Sequence, residues 1–152
     1  MALATISVSY SQIAVFNGGV DDPFSVWTDQ HVAQGFAWRP ESVSFKTLID
    51  AGPTSVEVVV ADHMPSPSGL RAIAVPFECS EEGEVEVASI SDSRIFVVPS
   101  GQYQLLFETG YSDEGNWCKF TFIRNGSKIP QIVLRDAELT PSDSLLMLAE
   151  PA

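Results

Sequence analysis

The run Pro76-Phe77-Glu78-Cys79-Ser80-Glu81-Glu82-Gly83-Glu84-Val85-Glu86-Val87 alternates apolar and charged residues on either side of a glycine-containing break. Strand side chains point alternately to opposite faces, so a period of two with one apolar set marks strands with one buried face. With Glu81-Glu82-Gly83 as a three-residue loop and Gly83 at positive φ, the two runs form a hairpin. Phe77 then faces Val87 and Cys79 faces Val85. A four-residue loop would set Cys79 against Glu84 and mix the faces. The same register puts Glu78 opposite Glu86 on the outer face, with Glu84 beside them and Glu81 and Glu82 at the tip. Like charges directly across a ladder cost about 0.2–1 kcal/mol per pair. A solvated edge tolerates that cost, because charge there deters edge-to-edge pairing. The same comb of carboxylates suits a basic partner.

Working outward, the chain continues as short apolar or alternating runs separated by turn residues, the pattern of an all-β sandwich or barrel. Strands are expected at 4–10, 12–16, 42–47, 55–61, 70–79, 84–88, 94–98, 102–108, 117–124 and 131–134. Turn chemistry fills the breaks: Asn17-Gly18-Gly19, Pro65-Ser66-Pro67-Ser68-Gly69, Pro99-Ser100-Gly101 and Asn125-Gly126. The last reads as a two-residue hairpin turn. One short helix is expected near residues 28–35, with Thr28 as N-cap, Trp27 and Val32 as a hydrophobic staple and Gly35 closing it. Residues 142–150 fit a strand or a helix equally. With no repeat and no long linker, residues 1–152 form one antiparallel β-sandwich of about eight to ten strands.

The chain has 152 residues, of which 45% are hydrophobic and 18% charged, enough apolar content for a proper core. Its 20 acidic against 8 basic side chains give a formal charge of −12. Such a surface repels phosphate backbones and disfavours direct nucleic-acid binding, while it speeds encounter with a cationic partner. Acidity also serves solubility alone. No apolar run approaches the ~20 residues that span a membrane, and residues 1–10 lack a basic leader. Cys79 and Cys118 lie in apolar, strand-like surroundings. A disulfide and two buried thiols are both open, and thiols in a reducing cytoplasm fit the spacing better. The expected location is cytoplasmic.

Catalytic and cofactor patterns are missing from the sequence. His31 and His63 are isolated; His31 suits a solvated or capping role, and His63 beside Asp62 has no second ligand cluster at zinc spacing. Neither cysteine has a neighbour that would activate a thiolate. No nucleophile elbow, phosphate loop or dinucleotide-binding glycine pattern occurs. No metal and no cofactor is therefore assigned, and the chain reads as a binding protein, not an enzyme. Two loop pairs, Asp21/Asp22 and Asp113/Glu114, extend the acidic set; their carboxylates are hard enough for calcium, but neither follows an EF-hand pattern. Trp38, next to Arg39 and Pro40 in a segment read as irregular, is the best candidate for an exposed contact aromatic. It suits a protein interface or a sugar platform.

An ordered series of residues carries a family resemblance. Ser9-Tyr10-Ser11-Gln12 leads to Val15-Phe16, then Trp27-Thr28-Asp29, Gly35-Phe36-Ala37 and Val43-Ser44-Phe45. Val75-Pro76-Phe77 and Pro99-Ser100-Gly101-Gln102-Tyr103-Gln104-Leu105 follow. From about residue 4 to about residue 110 the chain resembles the competence protein J family. The resemblance implies a small acidic protein that inhibits a nuclease, with no catalytic residues to carry over. Residues after Trp117, including Asn125-Gly126 and 145–148, extend beyond the expected pattern. The contact set of Glu78, Glu81, Glu82, Glu84, Glu86, Asp21, Asp22, Asp113, Glu114 and Trp38 rests on charge and exposure. The leading expectation is a protein that blocks the basic DNA-binding rim of a nuclease or meets another cationic protein. The alternative is a β-sandwich module for a small ligand or carbohydrate, assisted by calcium.

Overall fold

The computed structural model describes residues 2–152. The strands are β1 (Ala2–Val8), β2 (Gln12–Asn17), β3 (Phe36–Arg39), β4 (Ser42–Lys46), β5 (Gly52–Ala61), β6 (Arg71–Cys79), β7 (Glu84–Ala88), β8 (Ser93–Val97), β9 (Gly101–Ser112), β10 (Gly115–Arg124) and β11 (Gln131–Leu134); α1 (Asp29–Gln34) is the helix. They form a six-stranded sheet, β1-β5-β10-β9-β6-β11, and a five-stranded sheet, β3-β4-β2-β7-β8. Among the described residues every ladder is antiparallel except β5–β10, which is parallel. The β-sandwich class holds, with one strand more than the sequence suggested. That strand is β3: Phe36-Ala37-Trp38-Arg39 follows the helix too closely, and is too short, to show a period of its own.

Alternate residues of both sheets meet in a core rich in phenylalanine. Phe45 stacks on Phe107 with centroids 4.5 Å apart, and Phe77 and Tyr103 both meet Phe122 edge-on at 5.7 Å. Truncating one such ring to alanine costs about 3–5 kcal/mol, because a close-packed core refills the space poorly.

Pro76 to Val87 is not a hairpin. β6 belongs to the six-stranded sheet and β7 to the five-stranded one, so the chain turns a corner from one sheet to the other. The apolar set is as expected: Phe77, Cys79, Val85 and Val87 are all buried. They line the inner faces of two facing sheets, not one face of a single ladder. Glu78 is aligned with Gln102 of β9, and Glu86 with Phe16 of β2 and Ile95 of β8. The repulsive Glu78–Glu86 pair therefore never forms. The physical reason lies in Pro76, which offers no N–H to a ladder on its open side. Its carbonyl accepts the Trp38 indole N–H at 2.7 Å. Asn17 continues the stitching, donating from Nδ2 to Glu78 O at 2.8 Å and accepting Ser80 N–H at 2.9 Å. Side chains of the five-stranded sheet thus take the place a hairpin partner would hold. The loop chemistry itself is right, since Gly83 has φ +70° and its N–H donates to Ser80 O.

The return crossing, β8 to β9, is fixed by Tyr103, whose buried hydroxyl donates to Pro99 O at 2.6 Å. This gives the Pro99-to-Tyr103 motif its physical meaning: the tyrosine ties down the corner four residues upstream. Asn125-Gly126 is not a hairpin either. Asn125 takes positive φ, but the chain then leaves β10 and reaches β11, on the far edge beside β6. Gly126 is required by close approach, as a Cβ there would stand 2.5 Å from the Gln104 side chain.

The helix forms as its caps predict. Thr28 caps the N-terminus and Gly35 ends the helix in the left-handed conformation. His31 takes the capping role, but it is buried, not solvated. Its Nδ1 accepts the Thr28 N–H at 3.0 Å, which assigns the ring proton to Nε2, 3.3 Å from Leu148 O. Trp27 reaches β2, donating to Gln12 Oε1 at 3.2 Å. No helix among the described residues is long and apolar enough to cross a membrane.

Candidate partner-binding surface

The sheet-crossing corner gathers acids at one end of the sandwich. Glu81 and Glu82 ride the turn, and Glu78 and Glu84 flank it, all four exposed. Because Phe77 and Val85 point inward, Glu78 and Glu84 emerge on the outer faces of different sheets. The turn after β2 packs beside this corner: a Cβ on Gly18 would stand 3.2 Å from Glu82 Oε2. That turn carries Asp21 and Asp22, both exposed. Glu41, which stands outside any charge run in the sequence, joins them from the β3–β4 turn, where its carbonyl accepts the Asn17 N–H at 3.2 Å. Only the register of β2 against β4 reveals this neighbour.

Two cations, Arg39 and Lys128, lie near this end, and neither forms an ion pair with these carboxylates: Lys128, in the same groove as Glu78, donates to Gln102 Oε1 at 2.5 Å. Arg39 spends its guanidinium on main chain and hydroxyl: it donates to Asp22 O, to Phe24 O at 3.4 Å and to Ser25 Oγ at 3.1 Å. The Ser42 hydroxyl donates to Pro23 O, so the backbone around Asp21 and Asp22 is held while their side chains stay in solvent. Among the described residues none of these seven acids, Asp21, Asp22, Glu41, Glu78, Glu81, Glu82 and Glu84, takes part in an ion pair. Glu86 is half-buried one step further along β7. It lines a groove of about 610 Å³ with Asp21, Asp92, Phe16 and Phe24.

Asp113 and Glu114 do not belong to this group. They form the β9–β10 turn at the other end of β9, whose start at Gly101 is aligned with Cys79. At about 3.3 Å per residue, that places them roughly 35 Å from the acidic corner. Trp38 is likewise not the exposed aromatic that its irregular-looking context suggested. It sits on β3, half-buried against the core with its N–H committed to Pro76. One flank still lines a groove of about 310 Å³ with Pro40, Glu78, Gln102 and Tyr103.

Both cysteines are free and buried. Cys118 is aligned with Thr109 and hence with Arg71, eight residues along β6 from Cys79. That is about 26 Å of strand, far beyond the reach of a disulfide. Burial pushes the Cys118 thiol up to about 12, so it stays protonated and unreactive. No group of three or more histidine, cysteine, aspartate or glutamate side chains suited to a metal ion occurs among the described residues.

Comparison with known proteins bears on what this surface meets. Residues 5–123 match the family model described as competence protein J (ComJ). The chain is 31% identical over 107 residues to the DNA-entry nuclease inhibitor of Bacillus subtilis (strain 168), spanning 66% of this chain and 75% of that protein. It also resembles the crystal structure of ComJ from Bacillus subtilis, described as inhibitor of the DNA degrading activity of NucA. The TM-score is 0.73 at 23% identity, over 81% of this chain and 95% of that one. The family match ends within β10, so β11 and the segment after it lie outside the matched residues.

Proposed function

Because the chain belongs to the competence protein J family, we propose that it binds a DNA-degrading nuclease and inhibits it, acting by occupancy and not by catalysis. The observation that carries this reading is the convergence of seven unpaired carboxylates at one end of the sandwich. A nuclease attracts polyanionic DNA and so presents a basic rim to it. An acidic face can occupy that rim, offer charge where phosphate would sit and exclude the substrate. Long-range attraction between the two fields also raises the rate of encounter, and salt weakens it.

The test uses purified NucA of Bacillus subtilis and a DNA substrate. The chain is expected to suppress DNA degradation, and raising salt is expected to slow association. Changing Glu78→Lys, Glu81→Lys and Glu84→Lys together is expected to cut the association rate by about tenfold or more and to flatten its salt dependence. All three side chains are exposed, so the fold should survive. An unchanged association rate would remove the acidic end from the interface.

A further inference from the structure

One edge strand of the five-stranded sheet, β8, pairs among the described residues with no strand beyond β7, and β1 of the other sheet comes close to its start, where the Ser7 N–H donates to Asp92 Oδ2 at 2.9 Å. Phe96 and Val98 point into the core, so Ile95 and Val97 of β8 stand on the outer face, 64% and 80% exposed. The Val98 N–H donates to Gly83 O at 2.9 Å, beside the first residue of β7. Main-chain groups alternate sides along an antiparallel strand. Those of Phe96 and Arg94 therefore face β7, and those of Ser93, Ile95 and Val97 face away from it. β8 ends the sheet order, and its ladder with β7 runs without a bulge. Lysine, proline and bulges ordinarily blunt such an edge, and Ser93–Val97 has none of them. Its one charge, Arg94, is tied to Asp92 at 2.9 Å.

Charge then selects the occupant. On the outer face Glu84 is aligned with Val97 and Glu86 with Ile95, so each exposed apolar residue has a carboxylate behind it. We propose that β8 accepts an extended segment of a basic protein as a sixth strand of this sheet. Lysine or arginine stems of that segment would lie over Ile95 and Val97, with their charges on Glu84 and Glu86. Two strand spacings are about 10 Å, within the combined reach of an arginine and a glutamate. Long basic side chains readily cover apolar surface in this way while keeping their charge in water. A second copy of this chain fits less well, since it would bring up the same carboxylates and another net charge of −12. Identifying the basic protein as a nuclease rests on the function proposed above; the edge and the chemistry it selects do not.

Amide hydrogen exchange read by NMR tests the proposal with two probes, NucA and a blocked heptapeptide of alternating valine and lysine. Either probe is expected to slow exchange at Ile95 and Val97 by at least about tenfold, as pairing of an open edge requires. Val97→Pro removes only an N–H that faces away from β7, so it is expected to keep the fold and abolish that protection. Protection by the peptide without inhibition of NucA would keep the edge and discard the nuclease. Inhibition of NucA with no protection from either probe, or with Val97→Pro as potent as the parent chain, would overturn the edge and keep the nuclease. Concentration-dependent protection without any probe would show that the edge pairs with a second copy, which also overturns the proposal.

Discussion

The two edges of the five-stranded sheet have opposite fates. β3 is covered by the chain's own C-terminal segment, whereas β8, among the described residues, pairs with β7 alone and exposes Ile95 and Val97. The covering segment behaves as a loose extra strand: Leu148 bridges Trp38, and the Ala149 N–H donates to Trp38 O at 2.9 Å. Side chains supply what its backbone lacks. The buried amide of Gln34 accepts the Leu146 N–H at 2.9 Å and donates to Leu146 O at 2.8 Å, as a neighbouring strand would. His31 adds its Nε2 to Leu148 O. Every one of these tail residues lies beyond residue 123, outside the family match. β8 lies inside it. The chain thus covers one edge of this sheet with its own residues, and among the described residues no strand pairs with the outer side of the other.

The cover is anchored in the opposite sheet, and the largest effect is expected there. Arg71 of β6 has 0% exposure, yet it carries a full charge. Its Nε and Nη2 donate to the two carboxylate oxygens of Asp136, each at 2.8 Å, and Nη1 donates to Lys46 O at 2.7 Å. The segment leading into the cover is therefore pinned by a forked ion pair whose cation is fully buried. Asp136→Ala leaves that buried cation with only the exposed Glu138 as counter-charge and is expected to cost about 3–5 kcal/mol in urea unfolding, because a solvent-screened partner does not make up for the lost fork. Glu138→Ala should cost no more than about 1 kcal/mol, its side chain being 54% exposed. The pH dependence has a definite sign. The Arg71 hydrogen bond holds the Asp136 carboxyl below its ordinary 3.8. A depressed carboxylate contributes stability that is present above the unfolded value and is lost as pH falls through the folded one. The advantage over Asp136→Asn should therefore persist at pH 4 and fade only below 3.8.

A smaller effect is expected where the cover meets β3. Gln34→Ala removes both bonds to Leu146 and leaves an N–H and a carbonyl without their partner, at a cost of about 1–3 kcal/mol. Exchange at the Leu146 amide should accelerate more than exchange in the core strands. Equal acceleration everywhere would mean that cover and sheet unfold as one unit, and the contrast between the two edges would lose its meaning.

How much of this was legible in the sequence follows from the range of each interaction. Alternation within β6 and β7, the Thr28 and Gly35 caps and the positive φ of Gly83 are local, and each was readable from a few residues. Whether Phe77 and Val87 share a ladder or face each other across a core is not local, because both arrangements bury the same side chains. Pro76 held the deciding clue, a missing donor on one side of β6, but its weight depends on Trp38 and Asn17 arriving from the other sheet. The candidate site divides in the same way. Glu78 to Glu84 was visible as a charge run, and Asp21 and Asp22 joined it only through the fold. Asp113 and Glu114 were carried to the far end by the length of β9. Trp38 misled because four residues of strand after a helix carry no period. The covered edge was invisible, since residues 140–152 pair through the Gln34 and His31 side chains and no alternation of their own.

The smallest effect on stability is expected at β8, and its smallness is what gives the contrast its force. Val97→Thr keeps the β-branched shape that suits a strand. It exchanges one methyl group for a hydroxyl at a position 80% exposed, so stability should change by no more than about 0.5 kcal/mol. The same change shortens the apolar strip on which a partner's basic side chains would lie. Residues kept apolar for the sake of the fold cannot be made polar this cheaply. Equilibrium unfolding of Val97→Thr beside the parent chain decides the matter. A loss well above 1 kcal/mol would show that Val97 is held by contacts within the sandwich, and β8 would then be an ordinary finished edge like β3.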